Sequence, residues 1–256
     1  MDGGPIKHVI SASSLAASGL PPGAPLLQVA SLTKHYGDEP VLDNVSFSVR
    51  SAEVLGLIGP NGAGKTTLLE TIAALLPIDS GTILWRGTPL PESERRQAIF
   101  YLPDAIRPWQ DQYVGRVLVF LAGVYRRSPA EIGDAVAAVG LGPALGKRVF
   151  ALSKGYARRL MWAVALLTPH PLLLMDEPFD GFDLKQTRDM TAVLRRAAAG
   201  GRSMVLSTHQ LGDAQRVCDR FVLLAAGQVH GEGTLDELRS RTGISGGLEE
   251  VFLALT

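Results

Sequence analysis

Gly59-Pro60-Asn61-Gly62-Ala63-Gly64-Lys65-Thr66-Thr67 sets two glycines, a lysine and a hydroxyl residue at the spacing G-x-x-x-x-G-K-[ST]. Glycines at those points let backbone N–H groups turn inward around an anion, and a helix opening at the lysine aims its positive end at the same place. The chemistry this allows is the grip of ATP: Lys65 reaches the β- and γ-phosphates and Thr66 ligates Mg²⁺. A chance glycine turn would give the same letters in roughly one chain of this length in a hundred. Here the letters also follow an apolar run and precede a helical one, which chance does not require.

Leu172-Leu173-Leu174-Met175-Asp176-Glu177-Pro178 is an apolar strand ending in two carboxylates. Alone it reads as a solvated acidic turn. Beside a phosphate loop, one acid can hold the metal and the other can orient or deprotonate the attacking water, so Asp176 is assigned to Mg²⁺ and Glu177 to the general base.

These residues need a scaffold. Val54-Leu55-Gly56-Leu57-Ile58 suits a buried parallel strand feeding the glycine loop, and Thr66 to Leu76 is the helix that follows, ending at Pro77. Leu172 to Met175 and Met204 to Ser207 are further strands. Leu27, Val29, Val45, Phe47 and Val49 alternate as in an antiparallel β-region. Between Pro103 and Pro169 apolar residues recur at helical intervals, at Val114, Val117, Leu121 and Val124 and again at Ile132, Val136 and Val139, which predicts a helical insert. Phe221 to Leu224 and Val229 flank the turn Ala225-Ala226-Gly227-Gln228 as a hairpin, and Leu235 to Leu238 starts a closing helix. The expected division is a flexible tail over 1–25 and one domain over 26–256. Within it, 26–102 and 169–230 form the core with its β subdomain, 103–168 the helical subdomain and 231–256 a short helical extension.

The 25 basic and 25 acidic residues cancel, so no global field recruits nucleic acid, which is not expected as a partner. Cys218 is the single cysteine, excluding an intramolecular disulfide or a cysteine metal site, and reads as a free core thiol. The richest apolar stretch, Leu166 to Met175, is broken by Pro169, His170 and Pro171 and is too short to cross a bilayer. Val9 to Leu20 is diluted by serines as a signal core, so a cytoplasmic location is expected.

From about Leu26 onward the chain resembles the ATP-binding subunit of an ATP-binding-cassette (ABC) transporter, its motifs in the family's order. Leu152-Ser153-Lys154-Gly155-Tyr156 resembles the family signature, which contacts the γ-phosphate held by a second cassette. Phe179-Asp180-Gly181-Phe182-Asp183 resembles the D-loop, His209 the switch histidine and Tyr36 the aromatic residue that stacks on adenine. The resemblance implies an α/β fold of P-loop NTPase type. Its RecA-like parallel core would carry an N-terminal antiparallel β subdomain and an inserted helical subdomain. It also implies catalytic roles for Lys65, Glu177 and His209, and nucleotide contacts from Tyr36, Gly59 to Thr67, Ser153 and Gly155. Each residue also has a plain reading: Tyr36 as a core aromatic, His209 as structural, Ser153 as the N-cap of a helix through Leu160, Val164 and Leu167.

Three positions depart from the family: Asp104, Lys154 and Tyr156, the last standing where the signature has Gln. Asp104 follows Tyr101-Leu102-Pro103 where the family usually has the Gln whose amide meets Mg²⁺ and the attacking water. A carboxylate there is repelled by the γ-phosphate unless the metal lies between, so Asp104 is a candidate metal and nucleotide contact, and Asp104→Gln is expected to raise turnover or lower the Mg²⁺ requirement. Lys154 replaces the first signature glycine, which is tolerable provided the backbone there does not need positive φ. L-S-K-G and the closing Leu248 to Leu255 resemble the subset of cassettes that serve compact exporters. The implied partners are a membrane permease, docked near Arg107, Pro108 and Trp109, and a second cassette, identical or not. The implied location is the inner face of the membrane. A soluble ABC ATPase that remodels a protein complex, and a cassette that binds without hydrolysing, are the rival readings.

Overall fold

The computed structural model describes residue 21, residues 23–104, residue 106 and residues 108–256. The stretch Val9 to Leu20, nearly all of the expected tail and Arg107 lie outside the described residues.

Alternation decides the first sheet. β1 (Pro25–Tyr36) and β2 (Glu39–Arg50) pair antiparallel, turning Leu27, Val29, Val45, Phe47 and Val49 inward. β4 (Ser80–Trp85) adds to the free edge of β1 and carries the two-residue β5 (Thr88–Pro89), giving the order β2-β1-β4-β5.

The second sheet reads differently because its strands are buried on both faces. β3 (Val54–Ile58) is buried at every position, and so is β7 (Leu172–Asp176). With β6 (Ile99–Leu102), β8 (Ser203–Thr208), β9 (Arg220–Ala225) and β10 (Gln228–Gly233) the order is β10-β9-β3-β8-β7-β6, parallel except for β10. Leu55 and Leu57 point toward the first sheet and α1 (Lys65–Ile72), sharing a core with Phe47, Leu68 and Leu69. Val54 and Ile58 point the other way, into a core with Leu160, Trp162 and Met190.

That second core is covered by helices. After α2 (Glu92–Ala98) and β6, the insert supplies α3 (Val114–Val124), α4 (Pro129–Val139) and α5 (Lys154–Leu167), and the chain returns through β7 to α6 (Leu184–Ala199). α7 (Leu211–Val217), α8 (Leu235–Thr242) and α9 (Leu248–Leu255) complete it. Two local expectations are corrected. α1 stops at Ile72 rather than Leu76, because Ala74 takes a left-handed φ of 61° that no helix continues through. Val124 is 58% exposed, so the apolar stripe of α3 extends beyond its buried face.

β3, β6, β7 and β8 are parallel, so their carboxyl ends emerge along one edge of the sheet. Ligands of open α/β sheets bind outside that edge.

Candidate nucleotide-binding site

The loop after β3 is shaped by close approach. A Cβ on Gly59 would stand 2.2 Å from the Leu224 carbonyl oxygen, while Gly62 and Gly64 hold φ of 81° and 97°. Gly59→Ala must therefore push the loop off β9. The expected result is a loss of about 1–3 kcal/mol in chemical unfolding together with weakened ATP binding; binding at wild-type strength would show that the loop tolerates the shift.

Lys65 begins α1 with its ammonium folded under the loop, donating to the Gly59 carbonyl at 2.8 Å and the Pro60 carbonyl at 3.1 Å. Burial pulls its pKa below the ordinary lysine value, partly countered by Glu177 and Asp176. Glu177 Oε1 lies 3.9 Å from this ammonium, close enough to oppose that shift.

Asp176 ends β7 amid hydroxyl donors. Thr66 Oγ1 donates to its Oδ2 at 2.7 Å, Ser207 Oγ donates to its Oδ1, and the Tyr101 hydroxyl lies 3.5 Å from Oδ2. Burial, reinforced by the Asp176 charge, pushes the Tyr101 hydroxyl well above the usual phenol range, so it remains a donor. Among the described residues no group of three or more His, Cys, Asp or Glu side chains could hold a metal alone. A hydroxyl beside one carboxylate instead suits Mg²⁺, which commonly takes one or two protein oxygens and completes its shell from phosphate and water.

Glu177 follows with φ of 43°, an unusual value for a side-chain-bearing residue. Its N–H is anchored to Ser207, on the carbonyl at 3.1 Å and the hydroxyl at 3.2 Å. The Pro178 carbonyl accepts from the buried Trp162 indole at 3.0 Å, fixing the turn that follows. This aims the Glu177 carboxylate at His209, whose Nδ1 is 2.9 Å away.

One cleft of ≈ 420 Å³ is lined by Tyr36, Val41, Asn61, Gly62, Gly64, Lys65, Thr66, Thr67, Asp104, Asp176 and Glu177. Gly59 and Ala63 are buried, and Pro60 lies outside the lining. Tyr36 is 52% exposed, so it is no core aromatic. Ser153 and Gly155 do not line the cleft. Ser153 caps α5, accepting from the Tyr156 N–H at 3.3 Å, and is itself exposed. Lys154 opens α5 within the helix, so no positive φ is asked of it, and its ammonium lies 2.7 Å from Asp180 Oδ2. Asp183 caps α6, accepting from the Gln186 N–H at 2.8 Å.

Sequence reasoning missed three contributors. Tyr101 and Ser207 belong to no motif of their own, and nothing in the local pattern singles out Arg158, whose guanidinium holds Asp104.

Residues 42–180 match the ABC transporter family. The ABC-type transporter ATP-binding protein EcsA of Bacillus subtilis is 33% identical over 238 residues, covering 90% of this chain and 96% of that protein. The Nod factor export ATP-binding protein I of Rhizobium meliloti is 36% identical over 213 residues, covering 81% of this chain and 64% of that protein. A solved structure of the ATP-binding subunit of an ABC transporter superposes with TM-score 0.81 at 33% identity, over 90% of this chain and 99% of that one. With the phosphate loop, the acidic strand end and the parallel sheet already in place, these likenesses mean that the chain belongs to the ABC transporter family, as an ATP-binding cassette that hydrolyses ATP.

Proposed function

We propose that this cassette is the motor of a membrane exporter, closing head to tail on a second cassette around two MgATP. The observation that carries this reading is a division within one chain. Lys65, Thr66, Asp176 and Glu177 share a cleft, whereas Ser153 and Gly155 lie outside its lining, with Ser153 exposed at the start of α5. A second copy supplies that helix start, and a capped helix N-terminus is an anion site.

In this reading Lys65 exchanges the Gly59 and Pro60 carbonyls for β- and γ-phosphate oxygens. Thr66 and Asp176 would hold Mg²⁺, which when bound supplies positive charge to the phosphate oxygens. Glu177 takes the proton of the attacking water, His209 donates to the γ-phosphate, and Tyr36 stacks on adenine. Binding closes the pair because ATP touches both cassettes only when they are closed, and loss of phosphate removes that preference.

The permease is assigned to the outer face of the insert. Trp109 packs edge to face on Phe120 with ring centroids 5.1 Å apart, and a groove there is lined by Trp109, Gln112, Arg116, Val117 and Phe120. Pro108 adjoins it. Tyr113, Val119 and Val124 extend the exposed apolar surface. Among the described residues no helix is long and apolar enough to cross a membrane. In this reading a permease docked on that groove holds the chain at the inner membrane face. Export is supported by the likeness to the Nod factor export protein of Rhizobium and by the L-S-K-G signature.

Capture from detergent-solubilised membranes tests this reading. Wild-type chain is expected to retain an integral membrane partner and the Trp109→Ala/Phe120→Ala variant to lose it, with phosphate release from the purified variant unchanged. Retention of only soluble partners by the wild type would replace transport with remodelling.

A further inference from the structure

We propose that Arg158 is a positioning residue for ATP turnover, tying α5 through Asp104 to the wall of the nucleotide cleft so that one ATP site sets the geometry of the Ser153 surface offered to the other. The proposal rests on the reading of Ser153 as a contact for the second cassette's nucleotide.

Asp104 lies just past the end of β6 and faces two ways. It lines the nucleotide cleft with Lys65, Thr66, Asp176 and Glu177, and it lines a neighbouring cleft with Lys154, Arg158 and Asp180. The Arg158 guanidinium donates to Asp104 Oδ1, and the arginine side chain is only 6% exposed against 43% for the aspartate. A nearly buried cation is thus matched by a carboxylate that reaches the nucleotide side. Lys154 and Arg158 are four residues apart on α5, hence on one face of the helix. Lys154 in turn holds Asp180, whose carboxyl is kept below the usual range chiefly by that hydrogen bond. The first turns of α5 are therefore tethered to two loops, one leaving β6 and one leaving β7 three residues beyond Glu177.

Charge makes the tether responsive. An uncompensated Asp104 would oppose a γ-phosphate, and the guanidinium offsets it in a partly buried setting where screening is weak. A polyphosphate or its metal entering the cleft acts on the Asp104 end of the pair, and the Arg158 end transmits the displacement to the helix that Ser153 caps. The pairing also reverses the expectation drawn from sequence for Asp104→Gln. An amide keeps an acceptor but leaves Arg158 without its counter-charge, so turnover should fall.

The test uses the full chain, with wild type, Arg158→Met, Arg158→Lys, Asp104→Asn and the Arg158→Met/Asp104→Asn double variant. Phosphate release is followed against ATP concentration, and binding of a fluorescent ATP analogue is measured at concentrations too low for pairing. Circular dichroism confirms that each variant is folded. Expected are a wild-type Hill coefficient above 1 that falls to 1 in Arg158→Met, and a kcat loss of about 10-fold with analogue affinity within about 3-fold. Arg158→Lys should recover part of kcat, and the double variant should be no slower than Asp104→Asn alone. A brace with no part in coupling would lower the unfolding midpoint and leave the Hill coefficient and kcat alone. That result, a wild-type Hill coefficient of 1, or losses that multiply in the double variant overturns the proposal. ATPase activity that depends on Glu177 would then still stand, so the two readings fail separately.

Discussion

Glu177→Gln is expected to cut phosphate release by ~10²–10⁴-fold, the usual contribution of a general base, while ATP binding and ATP-driven pairing persist. The geometry makes this substitution selective. The Glu177 backbone is pinned by Ser207 through two hydrogen bonds, and Trp162 fixes the next carbonyl, so the side chain's position does not depend on its charge. Glutamine has the same shape and can still accept from His209, whose Nδ1 now sits 2.9 Å from Oε1. It cannot take a proton from water. It also removes the negative charge 3.9 Å from the Lys65 ammonium, leaving Asp176 as the carboxylate that still competes with the phosphates for that cation. Size-exclusion chromatography should therefore show an ATP-dependent shift to a pair in the variant that the wild type shows only transiently. Turnover within about 3-fold of wild type would remove Glu177 from the base role and return it to the acidic-turn reading.

The site was legible where one short segment carries its own chemistry. Gly59 to Thr67 announces itself because each glycine answers a local demand, the close approach to Leu224 or a positive φ. Asp176-Glu177 and His209 stand out because burial on both faces makes the middle of β7 and β8 apolar, and polarity returns at their carboxyl ends. What stayed hidden are contacts between segments. Arg158 and Asp104 are 54 residues apart, and although Asp104 stands out as a departure from the family pattern, Arg158 alone is one more charged residue within α5. The pairing comes from α5 lying across the exit from β6, a matter of topology rather than local pattern. Tyr101 escaped notice for the same reason: its hydroxyl matters because the adjacent parallel strand places Asp176 within 3.5 Å. The end of α1 was misjudged because Ala73-Ala74-Leu75-Leu76 has good helical propensity, and only the tertiary turn at Ala74 overrides it.

Stability also rests on a charge cluster that no motif marks. Arg220, at the start of β9, is 7% exposed and donates to Glu53 Oε1 at 3.0 Å and Glu232 Oε1 at 2.6 Å. Glu232 also accepts from the N–H and the hydroxyl of Ser48, both at 3.1 Å, and Glu53 accepts from the Arg50 N–H at 2.6 Å. The cluster therefore rivets β2 of the antiparallel sheet to β9 and β10 of the parallel one. Its carboxylates are satisfied, but among the described residues the buried Arg220 Nε meets no hydrogen-bond partner, so the arginine is held by charge more than by complete hydrogen bonding. Arg220→Ala would leave Glu53, itself only 5% exposed, as a buried charge without its cation. The expected cost is ~3–5 kcal/mol, the usual penalty for breaking a buried pair from one side. For a domain of this size that is a fall of roughly 6–20 °C in Tm. Arg220→Leu/Glu53→Leu removes both buried charges at once and should be more stable than Arg220→Ala, because an apolar pair of similar volume avoids the desolvation that an orphaned carboxylate suffers. Thermal unfolding followed by circular dichroism decides between these outcomes. A loss of 1 kcal/mol or less in Arg220→Ala would mean that water reaches Glu53 and that the two sheets are joined by their apolar core alone.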